Sequence, residues 1–70
     1  MEILAERLRS LRKEKHLRQE DVAAQLGLST NGYQRYELGT REPVASVICA
    51  LADFHNVSAD YLLGRKDTRK

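Results

Sequence analysis

The sequence has one cysteine, one proline, one phenylalanine and no tryptophan in 70 residues. A single cysteine excludes a disulfide framework and a cysteine-based zinc site within one chain. One proline and four glycines exclude collagenous and low-complexity composition. No run approaches the ~18 apolar residues that span a bilayer, and no N-terminal apolar stretch has the form of a secretory signal. The chain therefore reads as a soluble, cytoplasmic protein without a membrane segment. No acid–base pair, phosphate-binding loop or metal-ligand spacing occurs. His16 and His55 lack a second ligand three or four residues away and read as surface or boundary residues. No catalytic, cofactor or metal site is expected, and the chain does not read as an enzyme.

What is present is a globular balance. Hydrophobic residues make up 41% and charged residues 31%, enough for one small domain. A domain of about 60 residues buries only ~60% of its extended surface, so a ligand cleft would compete with the core for side chains. The net charge is +2 but uneven: residues 1–18 carry +3, residues 19–64 carry −4 and residues 65–70 carry +3. The bases lie at the two ends of the chain and the middle is nearly free of them.

Leu4, Leu8 and Leu11 recur at helical spacing beside Ile3 and predict a first helix over 2–15. A second helix begins at Gln19, with Glu20 and Asp21 in its first turn, where the dipole favours negative charge. Val22, Ala23 and Leu26 form its buried stripe, and Gly27 follows at a position suited to positive φ. Ser29 is a candidate cap for a third helix over 30–38, with Tyr33 and Tyr36 on one face and Gly39 ending it. Pro43 is placed in the first turn of a fourth helix. Val47, Ile48, Leu51 and Ala52 are its apolar face, with Phe54 near its end, and Cys49 reads as a small core residue. Ser58 caps a short fifth helix that buries Leu62 and Leu63 and ends before Gly64. The polar stretch RKDTRK, residues 65–70, reads as a frayed basic tail. Nothing alternates with period two. The expectation is an all-α, five-helix bundle over 1–64 followed by the tail.

The informative block is 19–38. Three residues separate Leu26 from Thr30, the turn length of a helix-turn-helix. Two helices joined so tightly come very close; Ala23 and Ala24 keep the first one thin, and Gly27 lets the chain reverse. Tyr33 and Tyr36 anchor the second helix through one face. Thr30, Asn31, Gln34 and Arg35 are left facing outward, all side chains of the types that hydrogen-bond base edges and phosphates.

The segments RLRSLRKEKHLRQEDVAAQLGLS, YQRYELGTREP and NVSADYLLG occur in that order. On these segments, residues 2–64 resemble the Xre-type, lambda-repressor-like (Cro/cI) helix-turn-helix domain of bacterial and phage transcription regulators. The resemblance implies that Gln19 touches a phosphate and braces the recognition helix. It implies base contacts from Thr30, Asn31 and Arg35, with Gln34 next, and a backbone clasp by Gly39, Thr40 and Arg41. It also implies a buried ion pair between Arg12 and Glu37. Arg18 adds local charge toward phosphate. Three residues depart from the usual pattern: Gly32 inside the recognition helix, Leu38 before Gly39, and Val44 where a serine cap is common.

The expected function is a sequence-specific regulator of transcription, expected to be a repressor. It would bind double-stranded DNA as a homodimer on a palindromic operator, reading the major groove with its third helix. Its place would be the bacterial cytoplasm, as a bacterial or phage protein, on the nucleoid when bound. No segment is spare for a sensor domain, so a regulatory protein partner is one route for a signal. The alternative is a protein-interaction module of the same fold, antitoxin-like or adaptor-like, with little DNA binding; the acidic middle favours it.

Overall fold

The leucine periodicity of the N-terminal segment becomes a buried stripe. In the computed structural model, which describes all 70 residues, Leu4, Leu8 and Leu11 line the inner face of α1, Glu2–Glu14. Four further helices follow: α2, Gln19–Gln25; α3, Thr30–Leu38; α4, Ala45–His55; and α5, Ala59–Leu62. There is no strand. α1 packs on both α3 and α5, α2 packs on α3, and α4 packs on α5. The α1 stripe meets Val22, Ala23, Tyr33, Tyr36, Leu51, Ala52, Val57 and Leu62 in one core. No helix is long and apolar enough to cross a membrane.

All five helices end in the same way. After the last turn one residue takes the left-handed conformation, and two N–H groups return to carbonyls that the helix leaves unpaired. In α2 the Gly27 N–H donates to Ala24 O at 3.3 Å and the Leu28 N–H to Ala23 O at 2.9 Å. In α3 the Gly39 N–H donates to Tyr36 O at 3.2 Å and the Thr40 N–H to Arg35 O at 3.1 Å. His16, Gly27, Gly39, Asn56 and Gly64 hold the left-handed position, with φ from 56° to 81°. At Gly64 an added Cβ would also lie 2.8 Å from Ile3 Cγ2, so glycine is needed there for space as well.

The helix starts differ. Ser29 Oγ accepts from the Gly32 N–H at 3.0 Å, and Ser58 Oγ accepts from the Tyr61 N–H at 3.0 Å. α4 starts from Val44 and has no side-chain cap. Gly32 lies inside the Ser29 cap, where an added Cβ would stand 2.9 Å from Ser29 Oγ. Gly32→Ala is therefore expected to gain about 1 kcal/mol of helix propensity and lose about as much capping energy. Urea denaturation should show a net change within about 0.5 kcal/mol. A full gain of about 1 kcal/mol would mean the cap shifts freely to make room.

Several expectations need correction. Pro43 is buried and lies one residue before the cap, so α4 begins after it rather than around it. Cys49 is exposed, because only the other side of α4, at Leu51, Ala52 and His55, faces the core. His55 is 5% exposed, an interior residue rather than a surface one. Leu26 and Leu63 are half-buried. The tail is tied down. The Ser58 N–H donates to Arg69 O at 2.7 Å, Arg69 pairs with Glu14, Arg7 pairs with Asp67 at 3.1 Å, and Lys70 Nζ donates to Asn56 Oδ1 at 2.6 Å. The Arg7 and Arg69 guanidiniums stand 4.0 and 5.8 Å from the centre of the Tyr61 ring. These partners lie more than fifty residues apart for Arg7–Asp67 and Arg69–Glu14, so no local pattern reveals them.

Candidate nucleic-acid interface

α3 is held from behind by its aromatic face. Tyr33 is fully buried and Tyr36 nearly so, with their rings edge to face at 6.5 Å. Such a pair adds about 0.5–1.5 kcal/mol beyond its buried area. The Ser29 cap starts the helix and Gly39 ends it, so both ends are fixed. Thr30, Asn31, Gln34 and Arg35 are exposed on the opposite side.

A buried carboxylate locks α3 to its neighbours. The Glu37 side chain is 1% exposed. Its Oε2 accepts from Arg12 Nε at 2.7 Å, and its Oε1 accepts from an Arg12 terminal nitrogen at 3.0 Å and from Gln19 Nε2 at 3.1 Å. Arg12 also donates to Leu17 O at 3.0 Å, beside the α1–α2 turn. Burial pushes the Glu37 carboxyl up, but the hydrogen bonds from Arg12 and Gln19 outweigh it and leave it below the usual carboxylate range. The Glu37 bond in turn raises Arg12. One acidic side chain thus joins α1, α2 and α3. The Tyr33 phenol lies within reach of the same charges. Burial first and the Glu37 carboxylate second hold its proton on, although its hydroxyl makes no hydrogen bond of ordinary geometry.

Arg9 was not singled out from the sequence. It donates to the backbone carbonyl of Glu37 and so satisfies one of the last carbonyls of α3. It sits three residues before Arg12, on the same side of α1, and that spacing was the available signal.

The bases near α3 divide into free and engaged ones. Arg35 and Arg41 are exposed and form no ion pair. Arg18 is paired with Glu20 at 2.7 Å and with Asp21 at 3.1 Å, and Asp21 also accepts from the Arg18 N–H at 2.8 Å. Its charge is therefore largely offset within α2. Gln19 is half-buried with its amide nitrogen committed to Glu37. Gly39 is half-buried and Thr40 exposed, and Thr40 Oγ1 lies 3.4 Å from Arg35 O. No group of three His, Cys, Asp or Glu side chains is placed to hold a metal. A groove of about 460 Å³ is lined by Leu17, Asp21, Ala24, Gln25 and Phe54, none of them on the outward face of α3.

Two helices joined by a glycine turn, the second anchored by its inner face and polar on its outer one, define a helix-turn-helix unit. The chain belongs to the helix-turn-helix domain family, whose pattern matches residues 3–62. This is a non-enzymatic class. The chain is 37% identical over 68 residues to the uncharacterized HTH-type transcriptional regulator YqaE of Bacillus subtilis strain 168, which covers 97% of this chain and 59% of that protein. It is 35% identical over 66 residues to the cryptic phage CTXphi transcriptional repressor RstR of Vibrio cholerae, covering 94% and 60%. It is 43% identical over 61 residues to the uncharacterized HTH-type transcriptional regulator YazB of Bacillus subtilis strain 168, covering 87% and 88%. The chain thus spans about three-fifths of the length of the first two.

Proposed function

We propose that the protein is a cytoplasmic, sequence-specific regulator of transcription, a repressor, that binds double-stranded DNA with α3 in the major groove. The observation that carries this reading is the outward face of α3: Thr30, Asn31, Gln34 and Arg35 are all exposed on a helix that is rigidly held from behind. Arg35, free of any acid, is suited to bidentate reading of guanine. Thr30, Asn31 and Gln34 supply the other base contacts. Gly39, Thr40 and Arg41 clasp the backbone, and Gln19, fixed by Glu37, offers its remaining amide oxygen side and the start of α2 toward a phosphate. Arg18 contributes to phosphate binding only by leaving Glu20 and Asp21. The protein acts as a homodimer on a palindromic operator, its two α3 helices about 34 Å apart in successive major grooves.

Selection from random duplex DNA at low salt is expected to enrich a two-fold symmetric motif. Arg35→Ala should weaken binding by about 1–3 kcal/mol and relax one position of each half-site. Arg41→Ala should weaken binding on all sequences and reduce the salt slope by about 1. If selection enriches no motif, or binding does not respond to salt, the reading fails.

A further inference from the structure

From 43 to 52 the chain carries no charged residue, although 31% of all residues are charged. That segment forms most of α4, and Ala45, Ser46 and Cys49 on it are exposed. A surface helix in so charged a chain ordinarily has a charged outer face. The single exposed charge on α4 is Asp53, one helical turn beyond Cys49 on the same face. Ala45 lies one turn before Cys49. The other flanks are occupied. The tail covers parts of α1 and α5 through Arg69–Glu14, Arg7–Asp67 and the Tyr61 ring. The start of α2 carries Glu20 and Asp21. The outer face of α3 is assigned to DNA.

We propose that this face of α4 docks on the same face of a second copy of this chain, the two helices running antiparallel across a two-fold axis at Cys49. This rests on the homodimer reading above and names its surface. Residues 45 and 53 are equidistant from 49, so the two-fold axis brings each Asp53 beside Ala45 of the partner. That is where α4 needs a negative group: it has no side-chain cap and no acidic residue in its first turn. Its first N–H groups lack partners within the helix and carry the positive end of the dipole. Each copy supplies to the other the anion that the first turn of its own α4 lacks. The small side chains of Ala45 and Cys49 allow the helix axes to approach to about 8–10 Å. With Cα atoms about 2.3 Å off each axis, an axis separation of about 9–10 Å puts the two Cys49 Cα atoms roughly 4.4–5.4 Å apart, inside the ~4.4–6.8 Å that a disulfide spans. A face about 16 Å long and one helix wide buries well under the ~800 Å² per partner of a standard interface. The dimer is therefore weak in solution and is completed on DNA, where the two half-sites hold the copies together.

The test uses the full chain, whose only cysteine is Cys49. Sedimentation equilibrium from micromolar to millimolar protein is paired with diamide oxidation and non-reducing electrophoresis, with and without a selected duplex. The expected result is a Cys49–Cys49 cross-linked dimer that grows with concentration and with duplex. Asp53→Lys should lower the cross-linked fraction about tenfold, and the double variant Ala45→Glu, Asp53→Lys should restore it through the swapped pair. Circular dichroism confirms that each variant is helical. If dimers sediment but Cys49 does not cross-link, or Asp53→Lys cross-links as well as the parent, the surface is wrong and the homodimer reading stands. If one copy only is found at millimolar concentration and on the selected duplex, the homodimer reading itself fails, and this proposal with it.

Discussion

Arg12→Ala is expected to destabilise the fold by about 3–5 kcal/mol, the usual cost of removing one partner of a buried ion pair. The size follows from Glu37, whose side chain is 1% exposed while that of Arg12 is 14% exposed. Arg12 supplies two of the hydrogen bonds to this carboxylate, and Gln19 supplies the third. Without Arg12 the carboxylate either stays charged in a space that solvates it poorly or takes up a proton. Either outcome loses the free energy that keeps it ionised now. A domain of this length has a total stability of roughly 4–10 kcal/mol, so the substitution removes from about a third to all of it. Urea denaturation followed by circular dichroism measures this. Arg12→Lys should recover only part of the loss, because an ammonium cannot make the paired contact of a guanidinium. Adding Glu37→Leu to Arg12→Ala should recover most of it, since an apolar pair of similar volume removes the buried charge as well as its partner. A loss below about 1 kcal/mol for Arg12→Ala would place the pair with ordinary surface ion pairs and remove the brace from the account of α3.

That brace also shows why some of the molecule was legible in the sequence and some was not. The positions of α1, α2 and α3 follow from local signals: the Leu4, Leu8, Leu11 spacing, the Ser29 cap, and the glycines at 27 and 39. Each signal acts within about one helical turn, so reading along the chain finds it. α4 was harder because it is apolar nearly all round. Its periodicity did not say which side faces inward, and so Cys49 was placed inside and His55 outside, each on the wrong side. The left-handed residue ending α1 is His16, not a glycine, so the terminus lacked its usual marker. The tail failed for a different reason. It lacks apolar side chains, and its anchors on Arg7, Glu14, Asn56 and the Ser58 N–H are contacts made by the fold, not by neighbours in sequence. The outward placement of Thr30, Asn31, Gln34 and Arg35 was legible because Tyr33 and Tyr36 decide which way α3 turns.

His55 makes stability fall as the solution is acidified, starting well above the carboxylate range. The residue is 5% exposed, and neither ring nitrogen has a hydrogen-bond partner. The charged groups that act on it are Lys15, Glu37 and Glu14, and the Phe54 ring stands edge to face at 4.9 Å. Burial, helped by Lys15 and opposed by the two glutamates, lowers its pKa from 6.5 to about 4. Between those values the unfolded chain holds a proton on this residue and the folded chain does not. Acid therefore favours the unfolded state, by about 1.4 kcal/mol per pH unit and about 3 kcal/mol in total by pH 4. Above pH 7 the residue is neutral in both states and contributes no slope. Glu37 adds its own loss only further down, because its pKa is depressed: its contribution is present above the ordinary carboxylate value and disappears as pH falls through the lowered one. Denaturation in urea at pH 7, 6, 5 and 4.5 should show this decline in the parent protein. His55→Leu should be nearly flat between pH 7 and 5, and about 1–2 kcal/mol more stable than the parent at pH 7, because it removes two buried polar atoms without partners. An unchanged slope in His55→Leu would assign the acid sensitivity to another group.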